Sequence, residues 1–377
     1  MKISFLLGHE LPFPPLQGGG VNSLLSSISR SIAHIGHDVV CYSPTHPDLP
    51  DHEWRDGVEH IRLRGAERDA RNLRNQIKGL PYSARAWKAI KKSDVLSCHL
   101  LTSFLFNSTR FANVVTHTVH RDPKPFLSLM SGLDRIYFAS PSVEVAAQQL
   151  CPGLASKTKT IFNCTDFPDA PPSIPHPERA VKLIYIGRFS RDKGLESLIR
   201  GFLIARKDFP QLSLTLVGPQ ALEMGGEPDF LREMLDLIAS EQANNNISIR
   251  QPLFDKQALE ALLATHHIVC LPSLGGETLN MGVVESLPLA KPALVSDLAA
   301  NSPLIVDGLT GFRVPKGDAQ AWAFRIKNMA SLCPSAYQEM ALAAFHYGKT
   351  NFSADAVAHA YIQDFEAMLR DKKRNKQ

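Results

Sequence analysis

Short runs of apolar residues alternate along the chain with longer segments whose apolar positions recur every three to four residues. The first kind predicts buried strands and the second predicts amphipathic helices. Lys2–Leu7 is the first strand-like run. Leu24, Leu25, Ile28, Ile32 and Ile35 then mark one face of a helix, and Gly36 stands where that helix should stop. Asp38–Tyr42 and Val114–Val119 read as further strands. Beyond residue 180 the alternation restarts, with strands over Val181–Ile186, Leu212–Val217, His267–Leu271 and Ala293–Ser296. Helices are expected over Leu195–Lys207, Leu231–Ala239 and Lys256–Thr265. A last helix, capped by Ser353, carries Val357, Tyr361, Phe365 and Leu369 at every fourth position. This alternation is that of an α/β protein built on parallel sheets.

Between the two alternating halves lies Phe167–Arg179, with prolines at 168, 171, 172, 175 and 177. Proline this dense fits neither sheet nor helix and predicts a stiff linker. At 377 residues the chain is too long for one ordinary core and suits two domains. In open parallel sheets ligands bind beyond the carboxyl ends of the strands, so a cleft between two such domains is the expected site.

Composition excludes several classes. Hydrophobic residues make up 44% and charged residues 21%, which rules out a mainly disordered chain. No apolar stretch approaches the length of a membrane span. The opening residues lack a signal-peptide core and a cleavage site. Six cysteines are scattered without C-x-x-C spacing, which argues against a zinc site or a disulfide framework and favours a reducing, cytoplasmic setting. A net charge of +4 is too small to imply nucleic acid, but it is uneven. Residues 1–163 hold 19 Lys and Arg against 13 Asp and Glu, while the remainder holds 22 against 24. The excess concentrates in Arg64–Lys92, with nine basic and two acidic side chains. Such a run is either a solvated helical face or a contact with an anionic membrane surface or a phosphate-bearing acceptor.

Candidate chemistry sits at the strand ends. Gly187-Arg188 follows the strand Val181–Ile186, and Lys193-Gly194 opens the next helix. Arginine offers a fork of donors and lysine a point charge, a combination suited to a diphosphate beside a helix N-terminus, although cations in a turn are often merely solvated. Glu277 and Glu285 stand eight apart, the first in a loop after Gly275-Gly276 and the second on a helix that begins near Met281. Carboxylates accept from paired hydroxyls and so suit sugar and ribose, while the simpler role is a helix cap or a lysine pair. Backbone amides near Leu279–Met281 favour negative charge. Gly18-Gly19-Gly20 permits close approach of a ligand to the backbone, but it is not the dinucleotide fingerprint. His99 and His120 both follow strand-like runs, and the strand before His120 should point at the same cleft. No Asp-x-Asp pair occurs, so a diphosphate would be neutralised by Arg188, Lys193 and backbone amides rather than by a metal held on such a pair.

Together these motifs resemble those of the retaining glycosyltransferases of family four, the "glycosyl transferases group 1" type, with the GT-B fold. Gly19-Gly20 is followed by Gly36-His37-Asp38-Val39, similar to the family's G-H-E-V run. Thr118-Val119-His120 resembles its T-v-H loop, and Asn163-Cys164-Thr165-Asp166 its N-G-V-D. Gly187–Gly194 resembles G-R-l-x-x-x-K-G. Pro272-Ser273 with Glu277–Glu285 resembles P-S and the E-x(7)-E motif, and Asp307–Phe312 resembles the d-G-x-x-G-x turn.

The resemblance implies two Rossmann-like parallel-sheet domains facing a central cleft. They are an acceptor-side domain over 1–168 with a returning C-terminal helix over 352–370, and a donor domain over 176–351. It implies that Arg188 and Lys193 hold a donor diphosphate, Glu285 the ribose and Glu277 the transferred sugar. Gly19 and Gly20 would approach the distal phosphate, Leu279, Asn280 and Met281 would line the donor, and His120 would lie near the reacting sugar. No metal or cofactor is expected beyond the nucleotide-diphosphate sugar. The acceptor would be a saccharide or a lipid-linked molecule in envelope polysaccharide or glycolipid synthesis, with the enzyme cytoplasmic or peripheral on the inner face of the membrane. Departures from the family pattern are Leu279 and Asn280 for an aromatic and a glycine, Ala290 for a glycine before Lys291-Pro292, Cys164 for a linker glycine, and a missing glutamate near Ser302. Pro288 should shorten or kink the helix that carries Glu285. The alternatives are a sugar-nucleotide epimerase or hydrolase on the same fold, or a non-catalytic binding subunit.

Overall fold

A computed structural model of the chain describes residues 1–16, 20–66, 72–174 and 180–375. It divides into two compact units, Met1–Cys164 with Ser353–Gln377, and Thr165–Phe352.

The first unit is built from β1 (Lys2–Leu6), α1 (Gly20–His34), β2 (Asp38–Pro44), β3 (His52–Arg55), β4 (Val58–Leu63), α2 (Asn72–Ala89), β5 (Ser93–Cys98), β6 (Ala112–Val119), β7 (Arg135–Phe138), α3 (Pro141–Leu150) and β8 (Thr158–Thr160). Its eight strands lie in the order β3-β4-β2-β1-β5-β6-β7-β8. All neighbours are parallel except β3, which returns antiparallel on β4 at the edge. β1 is buried from Ile3 to Leu6 because it lies between β2 and β5 with both faces covered, so it shows a continuous apolar run rather than an alternating one. Leu24, Leu25, Ile28 and Ile32 of α1 pack on one face of this sheet, and Gly36, at φ +96°, ends the turn that follows.

The second unit comprises β9 (Lys182–Ile186), α4 (Leu195–Ala205), β10 (Ser213–Val217), α5 (Pro228–Ser240), β11 (Ile247–Arg250), α6 (Lys256–Ala264), β12 (Ile268–Leu271), α7 (Met281–Ser286), β13 (Ala293–Ser296), β14 (Gly311–Val314), α8 (Ala319–Ala330) and α9 (Pro334–Phe352). Its strands are all parallel, in the order β11-β10-β9-β12-β13-β14. The chain lays down β9, β10 and β11 in one direction and then returns to place β12 beside β9. The reversal opens a crevice between the loops that follow those two strands. Pro288 does end α7: the helix stops at Ser286 and a 3-10 turn follows over Leu287–Leu289. Ala290, the residue in place of the family's glycine, is left-handed at φ 53°, a conformation that disfavours side chains.

The last helix, α10 (Ala354–Arg374), belongs to the first unit. The Ser353 hydroxyl accepts from Ala356 N at 3.1 Å and caps it. Val357, Tyr361 and Phe365 are buried in the same cluster as α1, as their spacing predicts, and Leu369 is partly buried beside them. Tyr361 meets Tyr137 of β7 edge-on at 4.9 Å. The sharpest polar contact is Asp364. Its carboxylate accepts from Arg135 Nε at 3.0 Å, Tyr137 Oη at 2.8 Å and Lys159 Nζ at 2.8 Å. Residues 167–174 form neither helix nor strand, in keeping with their prolines, while Pro175 and Pro177 lie outside the described residues.

Candidate active site

The loop after β9 is the centre of the second unit's site. Arg188 stands at its start, half-exposed. Its Nη1 donates to the Gly225 carbonyl at 3.2 Å and its Nη2 to Asp192 at 3.0 Å. Tyr185, on β9, donates its hydroxyl to the Arg188 carbonyl at 2.6 Å, tying the turn to the strand below it. Burial first, then the charges of Glu277 and Asp192, raise the Tyr185 phenol well above its ordinary range, so it stays a donor. The expectation that Lys193-Gly194 opens the helix is corrected in detail. Arg191–Lys193 is a separate 3-10 turn, Gly194 is left-handed at φ 65°, and α4 begins at Leu195.

Gly194 explains how two distant loops meet. A Cβ at this position would stand 2.0 Å from the Pro272 carbonyl oxygen, so only glycine lets the loop after β9 touch the loop after β12. Leu274 N adds a bond to the Asp192 carbonyl at 2.8 Å. Across this seam Lys193 Nζ donates to Glu277 Oε1 at 2.7 Å, and Ser273 Oγ donates to the same oxygen at 2.5 Å. The two side chains are only 14% and 13% exposed, so the pair is well shielded. Among the described residues Glu277 Oε2 has no partner, and neither do the remaining N–H bonds of Lys193. One charge-paired unit therefore offers an acceptor and donors side by side.

Glu285 lies on α7. It makes no hydrogen bond or ion pair among the described residues, so the simple roles of cap or lysine partner are not its roles here. Burial raises its carboxyl above the ordinary value; Lys256 opposes the shift and Glu260 adds to it. An unpartnered, partly buried carboxylate suits a pair of ligand hydroxyls.

Leu279 and Asn280 need a correction. Their side chains are buried, at 4% and 7% exposure, so neither lines an open pocket. What they offer a ligand is backbone: their N–H groups donate to no other described residue. Met281 starts α7 and is half-buried. Gly20 is the first residue of α1 and exposed, while Gly18 and Gly19 lie outside the described residues. His120 sits in the first unit, just past β6, and is not alone. His99 follows β5, and its Nδ1 lies 2.9 Å from His120 Nε2, the rings stacked at 5.2 Å. Burial lowers His120 to about 3, with His117 adding to the effect, so its ring is neutral. The sequence did not reveal Ser273, Asp192, Tyr185 and Gly225 as supports, although Asp192 is spaced i,i+4 from Arg188, a pattern that can be looked for.

Among the described residues no group of three or more His, Cys, Asp or Glu side chains could hold a metal. Likewise no described helix is long and apolar enough to cross a membrane. The basic run maps largely onto α2, where Ile77 and Leu80 are exposed beside Lys78, and where Arg85 donates to the Arg64 carbonyl at 2.6 Å. Residues 67–71 of that run lie outside the described residues.

Residues 180–331, which hold the whole of this second-unit constellation, match the family model Glycosyl transferases group 1. Over that stretch the chain is similar to the group 1 glycosyltransferases. The transferase is 25% identical over 349 residues to the phosphatidyl-myo-inositol mannosyltransferase of Mycolicibacterium smegmatis, covering 86% of this chain and 83% of that one. Among solved structures it resembles sucrose-phosphate synthase from Thermosynechococcus elongatus, with a TM-score of 0.74 at 18% identity over 98% of this chain and 100% of that one. It also resembles Anabaena Alr3699/HepE in complex with UDP-glucose, with a TM-score of 0.69 at 18% identity over 97% and 100%. The two parallel-sheet units are thus those of the GT-B fold.

Proposed function

We propose that this transferase moves a sugar from a nucleotide-diphosphate sugar to a saccharide or lipid-linked acceptor, retaining the anomeric configuration and using no metal ion. The observation that carries the reading is the Lys193–Glu277–Ser273 unit at the strand-order reversal, beside the Arg188 turn. Arg188 and the open N–H bonds of Lys193 take the two phosphates, helped by the backbone amides of Leu279 and Asn280. Glu277 Oε2 takes a hydroxyl of the transferred sugar, and Glu285 accepts from both ribose hydroxyls. In the first unit, His120, Gly19 and Gly20 are the candidates for sugar and phosphate contacts. In the transfer, the bond between the anomeric carbon and the phosphate oxygen breaks. The acceptor oxygen bonds to that carbon from the same face, and its proton passes to the leaving phosphate. The protein orients both substrates and stabilises the charge that develops on the diphosphate.

A donor of this class is supported by HepE, whose structure holds UDP-glucose, and a lipid-linked acceptor by the mannosyltransferase that acts on phosphatidyl-myo-inositol. That acceptor class supports a role in envelope glycolipid or polysaccharide synthesis at the inner membrane face. None of the six cysteines is in a disulfide, which agrees with a cytoplasmic setting. Exposed Ile77 and Leu80 beside the cations of α2 support peripheral contact with anionic lipid. Sedimentation with liposomes should recover the protein with anionic vesicles only, and equal recovery without anionic lipid refutes that contact.

Calorimetric titration with UDP, GDP, ADP and TDP tests the donor site. One nucleotide should bind saturably, and Arg188→Ala/Lys193→Ala should weaken it at least tenfold, about 1.4 kcal/mol. Well-folded protein that binds none of the four points to a binding subunit rather than an enzyme.

A further inference from the structure

His99 carries the further inference. It follows β5 directly, and its backbone N–H donates to the Leu6 carbonyl at 2.8 Å, extending the β1–β5 ladder by one bond and fixing the residue in place. Both ring nitrogens are occupied: Nε2 lies 3.1 Å from Ser97 Oγ and Nδ1 lies 2.9 Å from His120 Nε2. Ser97 is on β5 and fully buried. Its hydroxyl hydrogen has one acceptor among the described residues, His99 Nε2. An O–H turned away from that nitrogen would be buried without a partner, at a cost of about 1–3 kcal/mol.

The direction of the whole chain follows from that one group. Ser97 donates to His99 Nε2, so His99 must carry its proton on Nδ1. His99 Nδ1–H then donates to His120 Nε2, so His120 must carry its proton on Nδ1, the nitrogen with no partner among the described residues. We infer that Ser97 and His99 are positioning residues that lock His120 as a neutral imidazole with its proton on Nδ1, making it a hydrogen-bond donor and not a base.

The tautomer stands on the first unit alone. That its N–H meets a substrate oxygen rests on the proposed transferase reading. In that reaction a donor strengthens the pull on oxygen as charge develops, whereas a base would take the acceptor's proton. With His120 Nε2 already accepting and Nδ1 protonated, the acceptor's proton is left to the leaving phosphate.

Long-range proton–nitrogen correlation on protein labelled with 15N-histidine reads the tautomer directly. The His120 signals are assigned by their loss in His120→Gln. Near neutral pH, wild-type His120 should show a protonated Nδ1 and a bare Nε2; the opposite pattern overturns the inference without any variant of His99. In His99→Asp the new carboxylate accepts from Nε2–H, so the pattern should invert and kcat should fall on the order of a hundredfold with the donor KM little changed. His99→Asn places an amide N–H where Nδ1–H stood, and should restore the wild-type pattern and most of the rate. An unchanged His120 pattern in His99→Asp refutes the relay. The inferred tautomer in a protein that turns over no donor would leave the relay standing and remove the transferase reading.

Discussion

Glu277 and Lys193 can be separated by what each does to a bare nucleotide diphosphate. Without ligand, the Lys193 ammonium is neutralised by Glu277 at 2.7 Å, in a shielded position. A diphosphate brought to Lys193 gains charge-assisted bonds of about 1.5–3 kcal/mol but also meets the Glu277 carboxylate that is paired with it. At an effective dielectric between those of bulk water and a protein surface, that repulsion is about 1–2 kcal/mol. Glu277→Gln keeps an acceptor oxygen for Lys193 and Ser273 while removing the charge. It should therefore bind the nucleotide diphosphate more tightly, by about a factor of ten. Lys193→Ala loses the donor and leaves Glu277 facing the phosphates, so its affinity should fall by about 10- to 150-fold or more. With the complete nucleotide sugar both variants lose turnover, Lys193→Ala through the phosphates and Glu277→Gln through the sugar. Calorimetry of the diphosphate and initial rates with the sugar donor, on the same preparations, give both readouts. If Glu277→Gln weakened the bare diphosphate as much as Lys193→Ala does, Glu277 would not be a sugar-side ligand and the division of labour would fail.

Other consequences concern stability as well as binding. Asp364→Ala should cost about 3–5 kcal/mol, because it leaves Arg135, Lys159 and the buried Tyr137 hydroxyl without their shared acceptor. Denaturation followed at Trp54 and Trp87 should report the loss, whereas Trp322 reports on the second unit. Burial pushes the Asp364 carboxyl up, but the bonds from Lys159 and Tyr137 and the charge of Arg135 bring it below its ordinary value. Its contribution is therefore full above the usual aspartate pKa of about 3.9, and it is lost as pH falls through the lower folded value. An unchanged acid midpoint in Asp364→Asn refutes this. Glu285→Gln should stabilise the fold near neutral pH, since burial raises the pKa of this carboxyl and its charged form costs stability there. The same variant should weaken nucleoside diphosphates but not inorganic pyrophosphate, which has no ribose; equal weakening of both would remove Glu285 from the ribose. Gly194→Ala should destabilise the second unit by about 2–4 kcal/mol through left-handed strain and the clash with Pro272, and should lower nucleotide affinity with it.

The elements visible in the sequence were those whose burial is expressed in large apolar side chains. β1, β9 and β12 are enclosed by neighbouring strands and read as continuous runs. α10 shows its stripe through Val357, Tyr361 and Phe365. α9 did not show, because much of its buried face is Ala341, Ala344 and Gly348, which pack closely without a strong hydrophobic signal. β5 did not show because Ser93 and Ser97 occupy buried positions, where their hydroxyls are hydrogen-bonded rather than excluded. α2 contains Gly79 and Pro81 among basic residues, a pattern that argues locally against helix. In the site, the charged ligands were legible as types at fixed spacing: Arg188, Glu277 and Glu285 stand on the elements expected of them, while Lys193 lies in a 3-10 turn just before its helix. Their supports were not, since Tyr185 below Arg188 and Ser97 behind His99 act through contacts that no local pattern encodes.

What turns those scattered residues into sites is the order in which strands are laid down. Lys193 and Glu277 are 84 positions apart, yet their loops follow β9 and β12, the two strands on either side of the reversal. No helix crosses over between strands of that pair, so their loops diverge to opposite faces and leave the crevice that Gly194 lets them line together. The first unit reverses in the same way between β1 and β5. There α1 begins after β1 with Gly20, and the residue after β5 is His99, held to the Leu6 carbonyl at the end of β1. In both units, then, the topology brings chemistry-bearing residues to the carboxyl edge at the one place where the sheet leaves room. A mutation that preserved every charged ligand but changed Gly194 or Ser97 should still impair the chemistry, because those residues hold the ligands in the register that the strand order makes possible.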